Sequence, residues 1–142
     1  MASILKVDTI TGVATAGSIA ITGEGNSTTT NLQQGLCKAW HNFTMISSNT
    51  TRDSFNISSF TDNGSGDATT SYTNDFANIN YVIAGVSGES GSTGTNDVYI
   101  TVARDPSYSS SMKVGSSRIT SVSDSSTKVD RDVFLNMHGD LA

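Results

Sequence analysis

The segment from residue 52 to residue 86 places the strongest constraint on the fold of this chain. Two runs of alternating apolar and polar residues, at 54–61 and 79–86, flank the turn sequence DNGSGD at 62–67. Alternation with a period of two is typical of β-strands, and the Gly and Asn residues of the turn can adopt the positive φ angles that tight reversals need. The segment therefore predicts a β-meander. Because the run INYVIAGV at 79–86 is almost continuously apolar, it predicts a central strand covered on both sides.

The same alternation continues through the rest of the chain after Gly35. Further strands are predicted at 36–43, 68–73, 97–104, 113–122 and 129–138. One face of the first of these carries Cys37, Ala39, His41 and Phe43, and one face of the last carries Val133, Leu135 and Met137. No stretch of useful length has the 3.6-residue period of an amphipathic helix. The pattern predicts an all-β fold, an antiparallel β-sandwich or jelly-roll-like knob of about seven strands.

Residues 1–34 differ from the sandwich domain predicted at 35–142. They contain two short apolar patches, several glycines and the polar run NSTTTN, too little to build a core of their own. We interpret them as an extended N-terminal arm with a short strand at 3–9, whose apolar residues would pack on neighbouring chains during assembly. These assembly residues are Ile4, Leu5, Val7, Ile19 and Ile21. The alternative is that residues 3–22 form two edge strands of the same domain.

Charge and composition exclude several classes of function. The net charge is −5 and the eight Lys and Arg residues are scattered, so no basic stripe is available to bind nucleic acid. No run approaches the roughly 20 apolar residues that a membrane-spanning helix needs, and the N-terminus lacks the continuous apolar core of a signal peptide. The lone Cys37 cannot form an intrachain disulfide. We expect folding in a reducing cytoplasm.

The residues with reactive side chains do not form a catalytic pattern. His41 and His138 lie far apart without further ligands at metal-binding spacing. The turn DNGSGD offers oxygen atoms as a calcium loop does, but it lacks the distal Glu, and a hairpin explains each of its residues. The loop sequence GESGSTG leads into no helix, and the acidic residues near the C-terminus have no apolar pocket beside them. The sequence therefore predicts no enzyme, no metal and no cofactor.

The aromatic residues fall mostly within the predicted strands, where core packing is their expected role. This set comprises Trp40, Phe43, Phe55, Phe60, Tyr72, Phe76, Tyr81 and Phe134. Tyr108 instead lies in the polar loop 105–111, and a second polar loop spans 87–96. We expect both loops to be exposed and take Ser90, Ser92, Thr93 and Tyr108 as candidate binding residues. An exposed tyrosine without a role is the simpler alternative.

Three stretches of the chain resemble marine bacteriophage tail-fibre and virion structural proteins. They are the opening ASILKVDTI, the strand KAWHNF followed by RDSFNISSFTDNGSGD, and the later NDFANINYVIAGV. In that family a module with this order of motifs recurs near the C-terminus. Two departures are His41, where the family often has a small apolar residue, and the absence of the long fibre shaft.

This resemblance implies a non-enzymatic protein of the virion surface. Its sandwich would be a fibre-like knob held by the arm to tail or capsid subunits, as a homotrimer that is assembled in the host cytoplasm and is able to contact a cell-surface receptor. One alternative is a capsid decoration protein that stabilises the head. Another is a free carbohydrate-binding module, which would require a row of exposed aromatic residues that the sequence does not reveal.

Overall fold

A computed structural model of the chain describes most of its length. The described residues are 6–11, 19–22, 29–88, 98–102, 112–123 and 127–141. Residue contacts divide the chain into two units, Met1–Leu36 and Cys37–Ala142. The first contains two short antiparallel strands in a sheet of their own, β1 (Ala20–Thr22) and β2 (Thr29–Asn31), and one helical turn, α1 (Leu32–Gly35). Residues 6–9 of the strand predicted at 3–9 are not in a strand. The role of this unit as an arm stays a prediction.

The described strands of the second unit form two antiparallel sheets. The strands are β3 (Ala39–Thr44), β4 (Thr50–Phe55), β5 (Ile57–Gly64), β6 (Asp67–Tyr72), β7 (Val82–Gly88), β8 (Val98–Val102), β9 (Met112–Lys113), β10 (Ser116–Ser123) and β11 (Asp132–His138). Sheet I has the order β4-β3-β11-β7, and sheet II has the order β5-β6-β10-β8 with β9 beside β10. The predicted all-β fold is confirmed.

The two sheets form a sandwich around one hydrophobic core. Alternate residues of β3 and β11 point inward from sheet I, and in β3 the inward face is the one with Ala39, His41 and Phe43, a choice that the alternation alone leaves open. Sheet II supplies alternate residues of β6 and β10. The buried apolar side chains are Ala39, Phe43, Met45, Ala68, Tyr72, Phe76, Tyr81, Ile119, Val133, Leu135 and Met137. Burial of these side chains is the main term that stabilises the fold.

An aromatic cluster anchors the connection between β6 and β7 to the core. Phe76 stacks on Tyr81 with ring centroids 4.2 Å apart and meets Tyr72 edge-on at 5.0 Å. The single O–H of Tyr81 is shared between two acceptors, the carbonyl oxygens of Lys113 and Ser116, at 3.0 and 3.1 Å. Because this buried phenol keeps its hydrogen bonds, the connection gains apolar burial without leaving a polar group unpaired.

The strand predicted at 54–61 is two strands in different sheets, so that prediction is wrong. Asn56 separates them with a φ of 60°, a left-handed conformation that breaks the alternation. Its side-chain amide donates to the carbonyl oxygens of Lys38 and Asn74, and its side-chain oxygen accepts from the backbone N–H of Asn74. Phe55 therefore belongs to sheet I, and Ile57 begins a strand of sheet II. The strand predicted at 113–122 is likewise divided, into β9 and β10.

The apolar run at 79–86 is not a central strand, so that prediction is also wrong. Its strand β7 lies at one end of sheet I and pairs only with β11 among the described strands. Val82 and Val86 are 63% and 64% exposed, whereas Ile83 packs against the core. The strand is thus covered on one face, and its other face remains apolar and open to solvent.

The turn DNGSGD forms the β5–β6 hairpin, as predicted. Gly64 and Gly66 have φ angles of 120° and 60°. The Asp62 carboxylate accepts the backbone N–H of Gly64 at 2.7 Å, which fixes the first bend. Gly66 donates its N–H to Asp130 at 2.6 Å, and its carbonyl oxygen accepts from Ser121 at 2.9 Å. Hydrogen bonds therefore hold the hairpin against Ser121 of β10 and against Asp130, which precedes β11.

Candidate functional site

His41 is a core residue rather than a catalytic or metal-binding one. It is 1% exposed and lies between the two sheets, against the rings of Phe43 and Phe60. Its Nδ1 is 3.1 Å from the hydroxyl of Thr70, and its Nε2 is 2.8 Å from the hydroxyl of Thr51. Burial lowers the pKa of His41 to about 4, because the charged imidazolium would be poorly solvated there. The ring is neutral near pH 7 and joins the two sheets through hydrogen bonds.

The stability of the domain should fall as the pH is lowered from about 6.5 to about 4. In this window the unfolded chain protonates His41 and the folded chain does not, so unfolding becomes more favourable by about 3 kcal/mol. Urea unfolding at several pH values measures this loss. The variant His41→Gln should lack it, whereas His138→Gln, which keeps His41, should retain it. A pH dependence that is the same in both variants would contradict this assignment.

The oxygen atoms of Asp67 are bound by cations of the protein itself. Both carboxylate oxygens accept from the guanidinium of Arg118, at 2.7 and 2.6 Å, and the ammonium group of Lys128 lies against the same carboxylate. Hydrogen bonds from Arg118 and then Lys128 lower the pKa of Asp67 to about 2. In the hairpin that resembles a calcium loop, Asp67 therefore makes an internal ion pair. Within the described residues, no group of three or more His, Cys, Asp or Glu side chains is placed to hold a metal.

The outer face of sheet I carries the candidate functional surface. Its apolar side chains, which we call the sheet face, are Trp40, Phe55, Val82, Ala84, Val86 and Phe134. Trp40 lies opposite Phe55 on β4, and Phe134 lies opposite Val86 on β7. Opposite residues of antiparallel strands share one face, with Cβ atoms about 5 Å apart. The register therefore brings together apolar side chains from all four strands.

The larger side chains of the sheet face form a diagonal stripe. Trp40 is paired with Asn136 on β11, and Phe134 is paired with Asn42 on β3, so the two residues occupy diagonal positions, whose backbones are typically about 7–8 Å apart and within reach of aromatic side chains. The stripe runs from Phe55 through Trp40 and Phe134 to Val86. Beside the last two residues is a shallow depression of about 350 Å³ that is lined by residues 84–86 and 134–136. Protruding rings and a depression thus lie at opposite ends of the stripe.

Polar side chains border the stripe on both sides. Asp53 and Asn42 lie on one side, and Asn136 lies on the other. Beyond Asn42, Arg52 donates to the carboxylate of Asp132 at 2.9 Å, and the hydrogen bonds of Thr44 and then Arg52 lower the pKa of Asp132. An apolar centre with a polar rim is the usual anatomy of a protein interface.

The outer face of sheet II is polar by contrast. The paired positions on this face are occupied largely by hydroxyl side chains, with Arg118 among them. They include Thr61, Thr69, Ser71, Thr101, Ser116 and Thr120. Asn63 donates to the hydroxyl of Thr69 at 2.8 Å, so part of this surface is already hydrogen-bonded internally. The two outer faces of the sandwich therefore differ in chemistry: Val122 is half-buried on the outer face of sheet II, and among the strand side chains whose exposure the structure describes, the group of large exposed apolar ones lies on sheet I.

The residues predicted from the sequence to form sites lie elsewhere. Val7 and Ile21 of the assembly set are 53% and 52% exposed, and Ile19 is half-buried. Ile4 and Leu5 lie outside the described residues. The candidate binding residues Ser90, Ser92, Thr93 and Tyr108 lie outside them as well. Both sets stay predictions.

The sequence analysis missed the sheet face because it assigned the aromatic residues to the core. Phe43, Phe60, Tyr72, Phe76 and Tyr81 do pack there, but Trp40, Phe55 and Phe134 are 36%, 52% and 41% exposed. The alternation already placed Trp40 and Phe134 opposite the inward residues of their strands. The exposed aromatic group that a carbohydrate-binding module requires is therefore present, contrary to the sequence-based expectation.

Comparisons with protein-family models, with curated proteins and with solved structures found no match to this chain. Among the described residues, no helix has the length and apolar character needed to cross a membrane.

Proposed function

We propose that this chain is a non-enzymatic structural protein of a bacteriophage virion, exposed on the particle as a tail-fibre-like knob. The observation that carries the proposal is the sheet face, an apolar surface on a sandwich whose opposite outer face is polar. Such a patch is a contact surface on physical grounds, because apolar area exposed to water is stabilised by covering it. The resemblance of residues 38–86 to virion proteins is the reason for proposing a bacteriophage particle as the assembly.

The chemistry of the buried polar groups supports a structural role. His41 joins the two sheets through threonine hydroxyls, and Asp67 joins the β5–β6 hairpin to β10 through Arg118. Both groups are engaged within the protein. A sandwich domain whose polar groups are used for internal contacts would act by binding partners. The arm at residues 1–34 would attach this domain to tail or capsid subunits. Ile19 and Ile21 would add to that attachment by burying apolar area.

Locating the chain on intact particles tests the proposal. Particles of the virus that encodes the chain would be imaged with an antibody raised against residues 37–142. Labelling of the tail supports the fibre-like knob, and regular labelling of the head favours the alternative of a capsid decoration protein. Purified particles that contain no copy of the chain would contradict both assignments.

A further inference from the structure

We propose that copies of this chain associate with one another through the sheet face. The inference rests on the proposed function, in which the sheet face is a contact surface, and it identifies the partner that covers this surface. The occupant is a second copy of the same chain, packed on Trp40, Phe55, Phe134 and the valines of β7.

The area of the sheet face matches what a stable interface between copies needs. From their fractional exposures, its five large side chains present on the order of 450 Å² of apolar surface, to which Ala84 adds little. A standard interface buries about 800 Å² on each partner, of which about 56–65% is non-polar. The sheet face therefore supplies roughly the whole apolar share of such an interface. Asp53, Asn42, Asn136 and the Arg52–Asp132 pair would form its rim.

The composition of the sheet face favours a protein over a glycan as the occupant. Sugars stack on aromatic rings, but the aliphatic Val82 and Val86, at 63% and 64%, are more exposed than any of the three aromatic members of the sheet face. A hydroxyl-rich ligand gains little from aliphatic carbon, whereas another apolar surface gains by excluding water from it. The valines also lie on β7, at the end of sheet I. An exposed apolar edge strand is a common site of association between chains.

The shape of the sheet face allows two copies to fit together, because exposed rings lie at one end and a depression lies at the other. Phe55 and Trp40 project at the β4–β3 end, and the depression beside Phe134 lies at the β11–β7 end. The rings of one copy can enter the depression of the next, as large side chains fill pockets at the centre of protein interfaces. Because both features are present on each copy, a two-fold arrangement lets the rings of each copy fill the depression of the other, and such a contact is closed and symmetric.

Light scattering coupled to size exclusion, and sedimentation velocity across a concentration series, test the inference on the full chain. The expected mass of the wild type is a whole multiple, two or greater, of the 14.8 kDa chain. Val86→Asp should weaken association by at least about 100-fold, because it places an unpaired carboxylate in the contact. The matched control is Ile79→Asp, since Ile79 is 55% exposed but lies outside the sheet face. It should associate as the wild type does.

Folding and the competing occupants are checked in the same experiment. The side chain of Val86 is exposed, so Val86→Asp should keep the far-ultraviolet circular dichroism and cooperative unfolding of the wild type. A wild type that stays monomeric at millimolar concentration overturns the inference, as does an equal loss of association in Ile79→Asp. Capture of a monomer by polysaccharide that is abolished in Trp40→Ala would assign the sheet face to glycans instead. Particle labelling tests the virion role separately, so either idea can fail while the other stands.

Discussion

Gly66→Ala should destabilise the domain by at least about 4 kcal/mol, a loss large enough to unfold a protein of ordinary stability. A Cβ at this position would lie 2.7 Å from the carbonyl oxygen of Ser121 and 2.8 Å from that of Val129, and closer still to the backbone nitrogen of Val129. The Ser121 oxygen and the Val129 nitrogen hold one another in a hydrogen bond of 3.0 Å, so they cannot move aside without breaking it. The φ of 60° adds strain for any residue with a side chain.

Gly64→Ala is the matched control for this prediction. Gly64 lies in the same turn and also has a positive φ, of 120°, but apart from its two chain neighbours no described residue has an atom within 4 Å of the place that a Cβ would occupy there. Backbone strain alone should then cost about 2 kcal/mol. Thermal and urea unfolding of the two variants measures the difference, which is the cost of forcing the hairpin away from Ser121 and Val129. If both substitutions cost the same, the hairpin can move away from these two residues without loss of stability.

The strands of the sandwich were predictable because alternation fixes which side chains share a face. In β3 and β11, it groups Phe43 and Val133 with the residues on their own face, and packing then decides that these faces are the buried ones. The turn DNGSGD was predictable for a local reason, because its glycines tolerate positive φ. The first and last strands of the second unit and the β5–β6 hairpin therefore follow from the sequence.

The position of a strand within a sheet could not be predicted from the local pattern of apolar residues. The run INYVIAGV is apolar enough for a central strand, yet β7 lies at an end because only β11 pairs with it among the described strands. Pairing partners are set by contacts between residues far apart in the chain, which the local pattern does not contain. The break at Asn56 was hidden for a related reason. Its amide bonds to Lys38 and Asn74, each 18 residues away.

The sheet face was thus half predictable. The alternation places Trp40 and Phe134 on the faces opposite Phe43 and Val133, so both point outward once Phe43 and Val133 are known to be buried. Their approach to Phe55 and Val86 depends on the order β4-β3-β11-β7. The prediction of one strand at 54–61 also did not show that Phe55 belongs to sheet I while residues 57–61 belong to sheet II. Once the register is known, Trp40, Phe55 and Phe134, which the sequence analysis assigned to the core, are found to form one surface.

Asp67→Asn should destabilise the domain by about 3 kcal/mol at neutral pH. The substitution preserves the shape of the side chain but removes the charge that both Arg118 and Lys128 face. Asp67 is buried, and the amide that replaces its carboxylate would bring a neutral oxygen and a donor NH2 group to the place where two cations now donate, so hydrogen bonds to a charged group are lost. Asp62→Asn in the same hairpin is the control, because Asp62 is exposed and its oxygen accepts only a backbone N–H in the hydrogen bonds described. It should cost about 1 kcal/mol or less.

The dependence on pH separates the charge of Asp67 from its packing. Its pKa is about 2 in the folded chain and 3.8 in the unfolded reference, so the ion pair contributes fully above about pH 4. As the pH falls from about 4 to 2, the unfolded chain takes up the proton first, and about 2.5 kcal/mol of stability is lost. Asp67→Asn should lack this acid-induced loss and Asp62→Asn should keep it, in a window below the one in which His41 titrates. An identical loss between pH 4 and 2 in the Asp67→Asn variant would show that the Arg118–Asp67–Lys128 cluster does not set the acid stability of the hairpin.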